Sequence, residues 1–219
     1  MTTINYDLSD KRVQYLIESD LKLGKLIKHI GNVEATIEKD GFKCLVKYIV
    51  GQQISDKARD TIWKRICMNI NDITPENILE INDKEFINIG LSARKIDCIQ
   101  NLSTNILEKR ISFMNLHEFS NEEIISKLSD LKGIGKWTVQ MYLIFSLCRE
   151  DIFPESDGTI KRVIKWMYNL NEVSNLNKFN ISFNSWKKYS TLASLYFWKA
   201  NEMGLLNTSF EESVLKKEV

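Results

Sequence analysis

Apolar side chains recur at the spacing of an α-helix along nearly the whole chain. An amphipathic helix collects such residues into one stripe that packs against a core. Only two prolines, Pro75 and Pro154, interrupt the pattern in 219 residues, and we find no convincing polar–apolar alternation of a strand. We therefore expect an all-α fold of about ten short helices. Two segments show the spacing most clearly: Phe42, Leu45, Val46, Ile49 and Val50, and then Ile160, Val163, Ile164, Met167 and Tyr168.

Local signals for helix starts agree with this fold class. Thr74 precedes Pro75, which is a cap followed by proline at the first helical position. Ser120 and Glu123 have the spacing of a capping box. After Trp137, apolar residues surround the helix axis on nearly all sides, and such a helix is usually buried. We therefore expect a central helix to begin there.

The composition limits the class of protein. Apolar residues make up 43% of the chain and charged residues 27%, as in ordinary soluble globular proteins. No apolar run approaches the roughly 18 residues of a membrane span. The start "MTTINYDLSDKR" also lacks the pattern of a signal peptide. We expect an intracellular protein that does not interact with a membrane.

Cysteine usage and net charge add two expectations. The four cysteines are widely spaced, without a CxxC pair or a Cys/His cluster, which favours buried, reduced thiols over disulfides or zinc. The net charge is only +1, whereas a nucleic-acid-binding protein is often more basic. Any contact with DNA must therefore come from a local face and from backbone dipoles. The cysteines are Cys44, Cys67, Cys98 and Cys148.

The stretch "LKGIGKWTVQ", residues 131–140, places two of the nine glycines one residue apart. As part of a helix, a tight hairpin and a second helix, Gly133 supplies a positive φ and Gly135 allows a close approach of backbone. The N–H groups at the start of the second helix suit a phosphate, and Lys132 and Lys136 add positive charge. The alternative is an ordinary glycine at a helix C-terminus, followed by a short loop.

The full pattern Leu-x-Gly-Ile-Gly-x-x-Thr resembles the helix–hairpin–helix motif, here at about residues 124–148. The resemblance implies that backbone amides grip one DNA strand without reading its sequence. It also implies a monovalent cation, Na⁺ or K⁺, held by backbone carbonyls of Ser129, Leu131 and Ile134. The residues that it assigns to DNA contact are Lys132, Gly133, Gly135, Lys136 and Thr138.

Asp157 lies 22 residues after Gly135, just before the helix predicted from Ile160. Its simplest interpretation is an N-cap. A carboxylate beside a helix N-terminus is also favoured in its charged form. A stable anion suits the oxocarbenium-like transition state of breaking a bond to sugar C1′. The two interpretations do not exclude each other.

A helix–hairpin–helix followed by a proline-containing loop and an Asp resembles the helix–hairpin–helix (HhH-GPD) DNA glycosylase superfamily. Three more segments resemble it in the family's order, the last as in the 3-methyladenine DNA glycosylase II branch. The resemblance implies a DNA repair enzyme that acts as a monomer on double-stranded DNA with a damaged base, in a bacterial nucleoid or a nucleus. The segments are "LVKYIVGQQISDKA" at 45–58, "GLSARKIDCI" at 90–99 and "WKKYSTLASLYFW" at 186–198.

The resemblance also implies a bilobal helical fold. One lobe comprises residues 42–150 and carries the hairpin. The other combines residues 1–41 with 151–219, and Asp157 lies at the cleft. Because residues 1–41 look helical, we expect the β-rich N-terminal domain of some relatives to be absent or reduced to a helical pair.

The residue after Lys136 predicts the reaction type. In bifunctional members of the superfamily, a lysine two positions after the second hairpin glycine attacks C1′ and forms a Schiff base. Here that position is Trp137, and a shift of one residue turns Lys136 about 100° away. We expect hydrolysis without a lyase step, with Asp157 as the catalytic residue. Because no cysteine follows Cys148, an iron–sulfur cluster is excluded, and no cofactor is required.

The resemblance assigns a base pocket to Trp137, Trp198 and Met141. An indole face attracts a cationic ring, and 3-methyladenine and 7-methylguanine are cationic in DNA. The alternative for both tryptophans is ordinary core packing. Met141 stands where some relatives have Tyr, and Gly158 replaces a bulky residue, so the exact lesion stays open.

Gln52, Gln53 and Ser55 lie in the segment that probes the strand in the family. A side chain inserted into the stack offsets part of the cost of flipping a base, and Gln53 matches the position of that wedge. The alternative is that "GQQIS" only caps the next helix through Ser55. Two other functions remain open: a non-catalytic DNA-binding or damage-sensing protein, and a glycosylase/lyase that uses Lys136.

Overall fold

The computed structural model describes residues 2–170, 180 and 182–215. The chain divides into two compact units, of which one combines Met1–Ile37 with Cys148–Val219 and the other is Glu38–Leu147. Sequence reasoning put these boundaries at residues 42 and 150. The described residues are mostly helical, which confirms the predicted fold class.

The terminal unit begins with two strands around two helices. In chain order these are β1 (Thr2–Tyr6), α1 (Lys11–Ser19), α2 (Leu21–Ile30) and β2 (Val33–Ile37). Asp10 and Asp20 cap α1 and α2 through their side chains. The expected helical pair is therefore present, packed through buried side chains that include Val13, Leu16 and Leu23.

The two strands are a feature that the sequence analysis missed. β1 and β2 pair in antiparallel fashion, with Thr2 opposite Ile37 and Tyr6 opposite Val33. Burial alternates strictly along β2: Val33, Ala35 and Ile37 are buried, and the residues between them are exposed. The expectation of no strands was wrong, since five residues of alternation next to a long helical pattern are a weak signal.

The central unit is entirely helical in its regular elements. Its helices are α3 (Gly41–Gly51), α4 (Asp56–Asn69), α5 (Pro75–Glu80), α6 (Asp83–Ile89), α7 (Ala93–Leu107), a 3₁₀ turn (Leu116–Glu118), α8 (Asn121–Ser129) and α9 (Lys136–Phe145). Thr74 caps α5 and a capping box at Ser120 starts α8, as predicted. All residues of α9 from Thr138 to Ile144 are buried, which confirms the predicted central helix.

The chain then completes the terminal unit. Its elements are α10 (Gly158–Tyr168), a 3₁₀ turn (Lys187–Tyr189), α11 (Ser190–Glu202), a 3₁₀ turn (Leu205–Asn207) and a π-helical turn (Glu211–Leu215). α11 is almost wholly buried from Ser190 to Phe197. In the described part of the chain, no helix has the length and apolar character to span a membrane.

All four cysteines are free thiols, so the expectation of no disulfides is confirmed. Burial was predicted for all of them, and that is wrong for two. Cys44 and Cys98 are buried, whereas Cys67 and Cys148 are exposed. Burial raises the pKa of Cys98 to about 11, so this thiol stays protonated and inert at neutral pH.

Candidate functional site

The hairpin between α8 and α9 needs a glycine at position 133. Gly133 has φ +83°, and a Cβ there would lie 2.8 Å from Sγ of Cys98 on α7. Both the positive φ and the packing against α7 therefore exclude a side chain. Ile134 is buried next to it, and its N–H donates to the carbonyl of Leu131 at 3.1 Å.

Gly135 differs from Gly133 in that the fold itself does not require it. Its φ of −94° and ψ of 169° are open to any residue. A Cβ built there meets no atom within 4 Å. Gly135 is the N-cap of α9 and has no side chain with which to cap it. No contact within the described fold therefore demands a glycine here, and the helix start is open to close approach from outside.

Gln52 joins the hairpin to the end of α3. Its Nε2 donates to the carbonyl of Gly133 at 3.0 Å and to Oγ1 of Thr138 at 2.9 Å. Thr138 is only 1% exposed, so its hydroxyl is turned inward. Gln52 and Thr138 are both predicted from the sequence to contact DNA, whereas the structure brings their side chains to each other.

Gln53 stands at the tip of the loop between α3 and α4. It is exposed and has φ +58°, a left-handed conformation that is uncommon for a residue other than glycine. Ser55 caps α4 by accepting a hydrogen bond from the N–H of Ala58 at 3.3 Å. Ser55 therefore has the capping role that was its alternative interpretation. Of the two glutamines, Gln53 is the one whose side chain is exposed, because the amide of Gln52 is bound to the hairpin.

Two lysines lie at the hairpin, in different surroundings. Lys132 forms an ion pair with Asp97 of α7, with 2.7 Å between Nζ and Oδ2. Lys136 is the first residue of α9 and is exposed. The predicted positive charge is present beside Gly135, and an acidic side chain offsets part of it.

Trp137 forms part of an aromatic cluster within the central unit. Its ring lies 6.3 Å from that of Tyr48 at an interplanar angle of 79°, and Tyr48 stacks on Phe145 at 5.3 Å. Trp137 is half-buried, while Tyr48 is 6% exposed. Burial raises the pKa of Tyr48 well above its usual value, so its hydroxyl stays neutral. Met141, one turn after Trp137, is 2% exposed.

The sequence analysis did not single out Tyr48 or Phe145 as site residues. Both lie on apolar helical faces, where an aromatic residue is ordinary core material. Only the tertiary packing of α3 against α9 brings Tyr48 to Trp137 and to Phe145. Trp198, the third predicted pocket residue, belongs to the terminal unit and is half-buried on α11.

Asp157 caps α10, as the simplest interpretation predicted. Its Oδ1 accepts hydrogen bonds from the N–H groups of Thr159 at 2.8 Å and Ile160 at 2.9 Å. Its own N–H donates to the carbonyl of Pro154 at 2.9 Å. The carboxylate is therefore fixed at the positive end of the helix dipole.

Thr191 anchors the loop that leads to Asp157, and sequence reasoning missed it. Its Oγ1 accepts from the N–H of Ile152 at 3.0 Å and donates to the carbonyl of Arg149 at 2.7 Å. Its N–H donates to the carbonyl of Glu150 at 3.0 Å. One buried residue at the start of α11 thus fixes three backbone groups of a loop 39 to 42 residues earlier.

One observation at the hairpin is compatible with the predicted monovalent cation. Oγ of Ser129 is buried and has no hydrogen-bond partner among the described residues, and a cation beside the Ser129 carbonyl would satisfy it. The carbonyl of Leu131 already accepts from Ile134 but retains a second lone pair. Elsewhere in the described chain, no group of three or more His, Cys, Asp or Glu side chains could hold a metal.

Similarity to known proteins provides independent evidence of the protein family. The family profile described as "HhH-GPD superfamily base excision DNA repair protein" matches residues 46–188. DNA-3-methyladenine glycosylase 1 of Schizosaccharomyces pombe is 28% identical over 92% of this chain and 94% of its own length. The similarity therefore extends over both units.

Two solved structures resemble the fold closely. A DNA-3-methyladenine glycosidase from Bacillus halodurans has a TM-score of 0.77 and 30% identity, over 95% of this chain and 98% of its own. A 3-methyladenine DNA glycosylase from S. pombe, solved in complex with abasic DNA, has a TM-score of 0.77 and 29% identity. That match covers 88% of this chain and 97% of the other.

Proposed function

Because the chain belongs to the HhH-GPD superfamily of base excision DNA repair proteins, we propose that it is a monofunctional DNA glycosylase for alkylated purines of the 3-methyladenine type. Its substrate is double-stranded DNA with a damaged base, on which it acts as a monomer where chromosomal DNA lies, in a bacterial cytoplasm or a nucleus. The similarity to 3-methyladenine glycosylases over both units supports the substrate class.

The observation that carries the reaction type is the carboxylate of Asp157 held at the start of α10. As the bond between C1′ and the base nitrogen breaks, its electron pair leaves with the base, and positive charge develops on the sugar. A fixed anion stabilises that charge. Water then bonds to C1′ and gives a proton to Asp157, which passes it to solvent. An alkylated purine that is already cationic leaves as a neutral base.

The second element of the proposal is that the start of α9 binds a DNA phosphate. Gly135 leaves room for the phosphate, and the helix dipole with Lys132 and Lys136 supplies the attraction. A local site of this kind is compatible with a net charge of only +1. A Na⁺ or K⁺ ion on the carbonyls of Ser129, Leu131 and Ile134 would add positive charge at the same hairpin.

The third element is the recognition of the base. Trp137 carries an electron-rich indole face that attracts a cationic purine, and Tyr48 packs against it. Met141 and Trp198 are assigned to base recognition on the resemblance alone. Gln53 acts as the wedge, because it is exposed while the amide of Gln52 is bound to the hairpin.

Release of free base is the direct test. The protein is incubated with methylated duplex DNA, and free 3-methyladenine and 7-methylguanine are quantified for the wild type and for Asp157→Asn. We expect release by the wild type and almost none by the variant, which should still bind an abasic-site duplex. Glu155→Gln is the matched control, since Glu155 is an exposed acid in the same loop.

Three outcomes contradict the proposal. Full activity of Asp157→Asn would remove the role of the carboxylate. A covalent adduct with DNA after borohydride reduction would identify a lyase and an amine nucleophile, with Lys136 as the first candidate. Binding of abasic DNA without release of any lesion would leave a damage-sensing protein.

A further inference from the structure

We infer that Gln52 is a positioning residue that holds the Gln53 loop and the phosphate-binding hairpin in one fixed arrangement. The inference rests on the proposed DNA-binding roles of both segments. It gives Gln52 a task different from the DNA contact that the sequence suggested. Gln52 would touch neither phosphate nor base and would act through the two segments that it joins.

The hydrogen bonds of Gln52 carry this inference. A glutamine amide nitrogen has two N–H donors, and here one reaches Gly133 and the other Thr138, at 3.0 and 2.9 Å. A phosphate offers only acceptors, so the engaged amide of Gln52 has no donor left for it. The two acceptors lie on opposite sides of Gly135, one in the hairpin and one in the first turn of α9. The side chain of Gln52 therefore ties the hairpin to the first turn of α9.

Two further contacts hold the backbone just before Gln52. Nζ of Lys95 donates to the carbonyl of Val50 at 2.6 Å. A Cβ on Gly51 would lie 2.8 Å from Cδ of Arg59, so this side chain packs directly on the backbone before Gln52. The next residue, Gln53, has φ +58°. A strained residue persists only where its surroundings determine its conformation, and these contacts fix the backbone that leads into Gln53.

The arrangement lowers the cost of inserting a side chain into DNA. Gln52 and the hairpin are 81 residues apart in sequence, yet they are joined directly. When the hairpin holds a phosphate, Gln53 is already oriented for insertion into the base stack. The loop therefore does not have to become ordered at the moment of base flipping. Preorganisation of this kind improves binding by reducing the entropy lost.

The test separates positioning from simple DNA affinity. Gln52→Met keeps the length of the side chain and removes both donors, while Thr138→Val removes one acceptor and keeps the shape. Gln100→Met is the matched control, because it removes an amide hydrogen bond to Asp83 in the same unit. Each protein is titrated with a duplex that carries an abasic-site analogue beside 2-aminopurine, whose fluorescence reports unstacking.

We expect Gln52→Met to reduce the equilibrium constant for unstacking about tenfold, since two hydrogen bonds are lost. Thr138→Val should have a smaller effect in the same direction, and Gln100→Met should have none. The salt dependence of binding should not change in any variant, because no phosphate contact is lost. An unchanged unstacking equilibrium in both Gln52→Met and Thr138→Val would overturn the inference.

A double-mutant cycle with Gln53→Ala gives a second readout. If Gln52 acts by directing Gln53, then Gln52→Met should have little further effect once Gln53 is truncated. Additive effects would mean that Gln52 supports the fold alone. Because the duplex has no base to remove, these results do not depend on catalysis, so failure of the glycosylase proposal and failure of this inference are distinguishable.

Discussion

The starts of α9 and α10 are the same structural feature put to opposite uses. The N-cap of α9 is Gly135, which has no side chain, whereas the N-cap of α10 is Asp157, whose carboxylate accepts from two N–H groups of the first turn. Both helix starts attract an anion. The start of α9 leaves space for an anion from outside the protein, and the start of α10 is occupied by the carboxylate of Asp157.

The difference teaches how one local feature can serve binding and chemistry. In the proposed function, a DNA phosphate has to enter and leave the start of α9 at every turnover, so this site must be open and must not contain a competing negative charge. A carboxylate proposed to stabilise charge on the sugar has to be held in place, and Asp157 is held by two hydrogen bonds from the start of α10. In the proposed function, the N-cap residue sets which of these two tasks each helix start performs.

The largest effect is expected when Asp157 is replaced by Ser. Serine is about as good an N-cap as aspartate, so the free energy of unfolding should change by less than about 0.5 kcal/mol. The charge is lost, and base release should fall about a thousandfold. Single-turnover rates with thermal unfolding check both parts, and a loss of stability with retained activity would mean that Asp157 is only a cap.

The opposite exchange is Gly135→Asp, which closes the open helix start. A carboxylate there should cap α9 and stabilise the fold by roughly 0.3 kcal/mol, because glycine is already a tolerated N-cap. The same carboxylate should repel a phosphate, so affinity for abasic DNA should fall about a hundredfold. Gly135→Ala is the control that adds bulk without charge. Unchanged affinity of Gly135→Asp would show that no phosphate approaches this helix.

A third variant tests the support of the Asp157 loop. Thr191→Val removes the hydroxyl that holds Ile152 and Arg149 and keeps the shape of the side chain. Leaving buried backbone groups without a partner should cost about 1–3 kcal/mol of stability. Base release should fall about tenfold, because Asp157 is less well fixed. Binding of abasic DNA should hardly change, and a binding defect larger than the rate defect would contradict this assignment.

The smallest effect concerns the charge beside Gly135. Asp97→Asn breaks the ion pair with Lys132 and leaves that lysine for DNA. Affinity should rise by a few fold at low salt, and the slope of log affinity against log salt should steepen by about one unit. Titrations at three salt concentrations measure this slope. An unchanged slope would mean that Lys132 does not reach a phosphate.

Local patterns in the sequence were enough to find the two helix starts. Gly133 needs a positive φ, Asp157 precedes a helical stripe, and Trp137 follows the hairpin, so each signal spans only a few residues. The residues that contact them could not be predicted from the sequence. Gln52 meets Gly133 and Thr138 across 81 and 86 residues, and such contacts leave no periodicity in one sequence.

The same limit explains the other differences. Thr191 reads as an ordinary polar residue in a helix, and only the fold brings it to the loop before Asp157. Tyr48 is part of a regular apolar stripe that gives no sign of a neighbouring indole. β2 did alternate, but its partner β1 is largely exposed and lies about 30 residues earlier, so no local pattern indicated a pair.

Single-turnover base release at saturating enzyme tests the central claim most directly, that the start of α9 binds DNA and the start of α10 performs chemistry. Gly135→Asp and Asp157→Ser are compared with the wild type on methylated duplex DNA as enzyme concentration rises. We predict that Gly135→Asp reaches the wild-type rate once the DNA is saturated, whereas Asp157→Ser stays about a thousandfold slower at every concentration. Recovery of Asp157→Ser at saturation, or a persistently slow Gly135→Asp, would contradict the account.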